Sequence, residues 1–99
     1  MLNIEKTKDG ECMKIALEGR LDTSTSPEFE SSIKEDIEGV KELFIDLEKL
    51  DYISSAGLRV LLATQKLMNK QGRMVVKNPN STVMEIFDVT GFADLLTIE

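Results

Sequence analysis

The chain has 99 residues, 41% hydrophobic and 30% charged, with 12 basic against 18 acidic side chains and a net charge of −6. That length supports one domain, residues 1–99, around one modest core. The acidic balance speaks against nucleic acid or an anionic membrane surface as partner, because both need clustered Lys and Arg; with no His and one cysteine, Cys12, the composition excludes an internal disulfide, an ordinary zinc site and Ser-His-Asp or Cys-His catalysis.

Leu2 and Ile4 alternate with Asn3 and Glu5, the pattern of a strand, and "KDGE" (8–11) reads as a hairpin turn with Asp-Gly at its centre. Met13, Ile15 and Leu17 share one face of a second strand, which places Cys12 within it as a buried residue. Ser26, Pro27 and Glu28 spell a helix start, with a hydroxyl cap, proline in the first turn and an acid behind it. Phe29, Ile33 and Ile37 mark its buried stripe and Gly39 its stop, so a helix is predicted over 26–38.

Leu43 to Leu47 is apolar on both parities, which suits a central strand covered on both faces. A second helix is predicted over 55–71, with Leu58, Leu61, Leu62 and Met68 inward and Gly72 at its end. "RMVVKN" (73–78) is a further strand, and a third helix over 81–89 turns Val83, Ile86 and Phe87 inward, with Gly91 beyond it. A short C-terminal turn of helix and a possible last strand complete the order. Strands alternating with helices give an α/β domain: a mixed, mostly parallel sheet of four to five strands opened by a β-hairpin. No apolar run of about 18 residues is present and the N-terminus lacks the pattern of a signal peptide, so a cytoplasmic protein without membrane insertion is expected.

The chemistry available is narrow. Neither a G-x-x-x-x-G-K-[ST] nor a G-x-G-x-x-G loop occurs, and no serine sits in a G-x-S-x-G elbow, so no catalytic residue, metal ligand or cofactor is assigned. Interest falls on "DYISSAGLRVLL" (51–62), where Ser54 and Ser55 stand between a strand and a helix. The simpler reading makes one of them a helix cap. The same position also suits a phosphoryl group, because free N–H donors and the positive end of the helix dipole meet there. Ala56 and Gly57 either leave the backbone open to a partner or let the helix start pack tightly. If the second and third strands are parallel, Asp22–Ser26 and Asp51–Ser55 lie on one edge. Asp22, Thr23 and Ser24, together with Ser54, Ser55, Ala56, Gly57, Leu58 and Arg59, are then the candidate partner-binding residues.

The segments "IALEGRLDTSTSPEF", "LFIDLEKLDYISSAGLRVLL", "GRMVVKN" and "MEIFDVTGFADLLTI" make the chain resemble the STAS domain family, named for sulfate transporters and anti-sigma factor antagonists. It looks most like the free-standing bacterial antagonists, over about Leu2 to Ile98. The resemblance implies a STAS-like fold, no enzymatic activity, and regulation by protein–protein contact. The partners it implies are an anti-sigma factor serine kinase, which phosphorylates a serine at the start of the second helix, and a metal-dependent serine phosphatase, which resets it. The family's site usually reads Asp-Ser-Ser/Thr/Ala-Gly-Leu; here Ser54 takes the Asp position and Ala56 the second hydroxyl position. Ser55 is therefore the phosphoacceptor by position and Ser54 the second choice. The departure at Ser54 keeps an alternative in view, a constitutive STAS module of a signalling or lipid-transport complex without phosphorylation.

Overall fold

A two-residue loop, Gly10–Glu11, reverses the chain between β1 (Leu2–Asp9) and β2 (Cys12–Leu21) in the computed structural model, which describes residues 2–99. The loop sits one residue later than "Asp-Gly at the centre" implies. Gly10 takes φ 61°, the positive value that a tight hairpin needs at its first loop position, and Asp9 is left as the last strand residue. Cys12 accordingly opens β2 opposite Asp9 and is half-buried; it is not a core residue in mid-strand.

The remaining elements are α1 (Ser26–Asp36), β3 (Glu42–Ile53), α2 (Ser55–Gln71), β4 (Arg73–Lys77), α3 (Ser81–Thr90) and a 3-10 turn (Phe92–Asp94). The sheet runs β1-β2-β3-β4, antiparallel at the hairpin and parallel at β2–β3 and β3–β4. Ile98 adds a single parallel bridge to Val76 at the edge, in the place of the possible last strand. Both parallel crossovers step the same way across the sheet. With the usual right-handed crossover, α1 and α2 fall on one face, where they touch.

That face is the core. Met13, Ile15 and Leu17 of β2 and Leu43, Ile45 and Leu47 of β3 are sealed under Phe29 and Ile33 of α1 and Leu58, Leu61 and Met68 of α2. The opposite face differs from expectation: Phe44 and Asp46 of β3 are only half-buried. Phe44 is clad by cations instead, with Arg73 and Lys77 standing 5.6 and 5.0 Å from its ring centre.

Helix ends follow local chemistry. α3 is capped by Asn80, whose Oδ1 accepts from Val83 N–H at 2.8 Å while its Nδ2 donates to Leu50 O at 2.7 Å. It closes on Gly91 in the left-handed region. α1 departs from the sequence signal. Thr25, not Ser26, is its N-cap residue, and its side chain makes no capping bond to the first turn of the helix. Ser26 is buried and its hydroxyl donates back to Asp22 O at 2.6 Å, so it is spent on the preceding loop. α1 also ends at Asp36, two residues early, and Gly39 (φ 80°) lies in the loop that follows.

Lys6 ties β1 to the end of α1. Its Nζ donates to Ser32 O at 2.8 Å and lies 2.7 Å from Asp36 Oδ2 and 3.5 Å from Glu35 Oε1. The hydrogen bond to Asp36 raises the Lys6 pKa, and the same bond lowers that of Asp36. The pair therefore stabilises the fold fully between the ordinary values, 3.8 for Asp and 10.5 for Lys. Lys6→Met should thus be less stable than wild type at neutral pH by urea unfolding. The difference should shrink below pH 3.8, as Asp36 protonates, and again above pH 10.5, as Lys6 deprotonates. A difference that ignores pH would assign the loss to packing.

Candidate functional site

Two loops leave the carboxyl ends of the parallel strands β2 and β3 side by side. Leu21 pairs with Ile53 in register, and Ser54 N–H donates to Leu21 O at 2.8 Å. This joins Asp22–Ser26 to Ser54–Ser55, as the parallel arrangement implies.

Asp22 organises the first loop. Its Oδ1 accepts from Ser24 N–H at 3.0 Å, Ser24 Oγ at 2.8 Å and Thr25 N–H at 3.1 Å. The Ser24 hydroxyl, followed by the Thr25 backbone, holds the Asp22 pKa below the ordinary carboxylate value. Thr25 Oγ1 accepts from Asp22 N–H at 2.9 Å and donates to Arg20 O at 2.9 Å, tying the loop to the end of β2. Asp22 is thus a turn-builder, and Thr23, exposed between these anchors, is the loop's open side chain.

The two serines separate by role. Ser54, in extended backbone at φ −94° and ψ 174°, is the N-cap of α2, and its Oγ accepts from Gly57 N–H at a long 3.4 Å. Ser55 is the first helical residue; it is exposed, and its hydroxyl takes no hydrogen bond among the described residues. No acidic side chain stands in the first turn of α2. Ala56 is half-exposed and Arg59 exposed, and both line an open groove of about 370 Å³ with Thr23, Pro27 and Glu30 of the neighbouring loop and α1.

Gly57 and Leu58 correct the candidate surface. Both are buried, and neither presents a side chain to a partner. A Cβ on Gly57 would stand 2.7 Å from Leu21 Cγ and 2.9 Å from Ile53 Cγ1. The residue is Gly because α2 begins hard against the ends of both strands, which is the tight-packing reading and not open backbone.

Sequence reasoning missed Arg20 and Tyr52. They are register partners on the outward parity of β2 and β3, and the Arg20 guanidinium lies 4.5 Å from the Tyr52 ring centre. The alternation of Leu21 and Ile53 inward carries the signal, but only once the register is known. Among the described residues no group of His, Cys, Asp or Glu could hold a metal ion, and no helix is long and apolar enough to cross a membrane. The arrangement is an edge of two loops and a helix start, with the exposed Ser55 hydroxyl unengaged among the described residues.

The packing of Gly57 on Leu21 and Ile53 gives a stability test. Gly57→Ala gains about 0.5–1 kcal/mol of helix propensity but overpacks a filled site, which costs about 1–3 kcal/mol. The variant should lose about 1 kcal/mol by urea unfolding; a gain would show that Leu21 and Ile53 yield freely.

Known proteins share this fold. The chain is 28% identical over 101 residues to the anti-sigma-B factor antagonist of Staphylococcus aureus, covering 98% of this chain and 92% of that protein. Its fold matches an anti-sigma factor antagonist from Mycobacterium paratuberculosis at TM-score 0.89 and 20% identity, over 99% of this chain and 85% of that one. It matches the antagonist SpoIIAA in its unphosphorylated form at TM-score 0.82 and 22% identity, over 100% and 88%. SpoIIAA of Bacillus in its phosphorylated form matches at TM-score 0.74 and 22% identity, over 100% of this chain and 91% of that one. The family model described as the STAS domain matches residues 3–99. The match to the STAS domain model over residues 3–99, on a four-stranded mixed sheet of the same fold as known antagonists, places this chain in the STAS domain family.

Proposed function

We propose that this protein is an anti-sigma factor antagonist, a non-enzymatic regulator that binds a kinase-type anti-sigma factor and is switched off by phosphorylation of Ser55. The observation that carries the choice of residue is the division of labour at the start of α2. Ser54 is engaged as the cap, while Ser55 is exposed with its hydroxyl unengaged among the described residues. The names of the relatives support the class of partner, and the existence of SpoIIAA in a phosphorylated form supports the class of modification.

In the proposed cycle the kinase moves the γ-phosphoryl group of ATP to Ser55 Oγ, and the serine proton leaves as ADP forms. A metal-dependent serine phosphatase returns the hydroxyl by hydrolysis. The unmodified edge, built from Thr23, Ser55, Ala56 and Arg59 with Asp22 and Ser24 shaping its loop, docks on the kinase. A phosphate adds about −1.5 to −2 charges at the centre of that contact. Burying it unpaired would cost several kcal/mol, and about 3 kcal/mol is already more than a hundredfold in affinity.

The alternative, a constitutive module of a signalling or lipid-transport complex, draws on one observation: Ser54 stands where the family usually has Asp. A pull-down from the native cell separates the two. A histidine-kinase-like ATPase supports the switch, and membrane transport proteins support the module.

The serine roles cross in a paired experiment. Ser54→Ala should lose about 0.5–1 kcal/mol of stability, the low end for a cap because its bond is long, and should still be labelled by ATP and the cognate kinase. Ser55→Ala should unfold within about 0.5 kcal/mol of wild type and carry no phosphate by mass spectrometry. Full labelling of Ser55→Ala would end the assignment.

Ser55→Asp should bind the kinase at least about tenfold more weakly than wild type by calorimetry, a single carboxylate supplying part of a phosphate's charge. Unchanged affinity would remove the switch.

A further inference from the structure

Ser55 and Arg59 stand four residues apart at the start of α2, one an exposed hydroxyl and the other an exposed guanidinium. On a helix this spacing brings the two Cβ atoms to about 5–6 Å. The later side chain leans toward the helix N-terminus, over the earlier one. Ala56 is too small to obstruct that path and lines the same groove as Arg59.

The charged groups on neighbouring elements are engaged elsewhere or set apart. Asp22 is held by Ser24 and Thr25 within its own loop. Glu30, across the groove on α1, pairs with Lys34 at 3.9 Å. Asp51 is exposed on β3, before Tyr52. Of the arginines, Arg73 pairs with Glu42 at 3.1 Å and Arg20 lies on Tyr52. Among the described residues Arg59 has neither an acid nor a ring.

We propose that Arg59 is an internal phosphate latch: once Ser55 carries a phosphoryl group, the Arg59 guanidinium binds it within α2. The inference rests on the reading of Ser55 as the phosphoacceptor. A guanidinium presents a planar fork of donors that matches phosphate oxygens in pairs, and an acid four residues before a base is the favourable order on a helix. One modification then does two things. It adds negative charge at the docking edge, and it withdraws from the partner the cation that lines the groove beside it. Arg20, held over Tyr52 on the outward face of the strands, is left in place.

The test uses the full chain with phosphoserine genetically encoded at position 55, so no kinase is needed. Phosphorus NMR follows the second ionisation of the phosphate in this chain and in its Arg59→Gln, Arg59→Lys and Arg20→Gln variants, each checked for folding by circular dichroism. Arg59→Gln should raise the phosphate pKa by about half a unit, Arg59→Lys by less, and Arg20→Gln by no more than about 0.1 unit. Equal values with and without Arg59 overturn the latch. So does an equal rise in Arg20→Gln, which would mark a general surface field rather than a contact. Should Arg59→Gln not fold, the lysine variant decides alone: an unchanged pKa overturns the latch and a raised one supports it. A chain whose Ser55 no kinase labels would remove the proposed switch and leave this measurement as it stands.

Discussion

The proposed docking edge depends on the parallel pairing of Leu21 with Ile53. The residues proposed to meet a partner hang from that register. The hydrogen bond from Ser54 N–H to Leu21 O brings the end of β3 to the end of β2, and the absence of a Cβ on Gly57 lets α2 begin directly against both strands. The loop from Asp22 is then tied back to β2 through Thr25 and to α1 through Ser26. Two strand ends, two loops and a helix start are thus joined into one hydrogen-bonded unit. Holding side chains out on such a unit reduces the conformational entropy lost when a partner docks.

Much of this was legible in the sequence because it rests on local rules. The helix over 55–71 was bounded by Ser54 and Gly72, and the structure keeps those bounds. The third helix runs one residue past its predicted 81–89, to Thr90. The parallel edge followed from strand–helix alternation alone. What failed was non-local. Ser26 has every mark of a helix cap, yet a carbonyl four residues back captures its hydroxyl. Phe44 reads as a residue under a second layer, yet cations from β4 cover it. Gly57 and Leu58 belong by motif to a docking surface and by packing to the core. Motif spacing locates a site along the chain; only the fold decides which of its side chains face out.

The Arg20–Tyr52 pair shows why register matters to that decision. The pairing of β2 with β3 shifts between Ala16 and Glu18 and again between Gly19 and Arg20, so β3 spends extra residues on the way to Ile53. Each shift breaks the simple alternation of in and out. Glu48 and Lys49, neighbours in sequence, are both exposed, and Tyr52 comes to stand opposite Arg20. A period-two reading of "FIDLEKLDYI" has no means of finding where those shifts fall.

The serine in the usual Asp position can be understood in the same physical terms. A cap needs an oxygen that accepts from the first turn, and a hydroxyl does this as a carboxylate does. Ser54 does so here, toward Gly57 N–H, at a length that makes the bond weak. What the exchange removes is a full negative charge beside Ser55. With no acid in the first turn of α2, a phosphoryl group arriving at Ser55 would meet less repulsion than it would beside a carboxylate, and Arg59 one turn on would favour it further. Serine therefore keeps the capping role while leaving the electrostatics of modification intact or improved. On these grounds the departure at Ser54 takes nothing from the capacity of Ser55 to hold a phosphate.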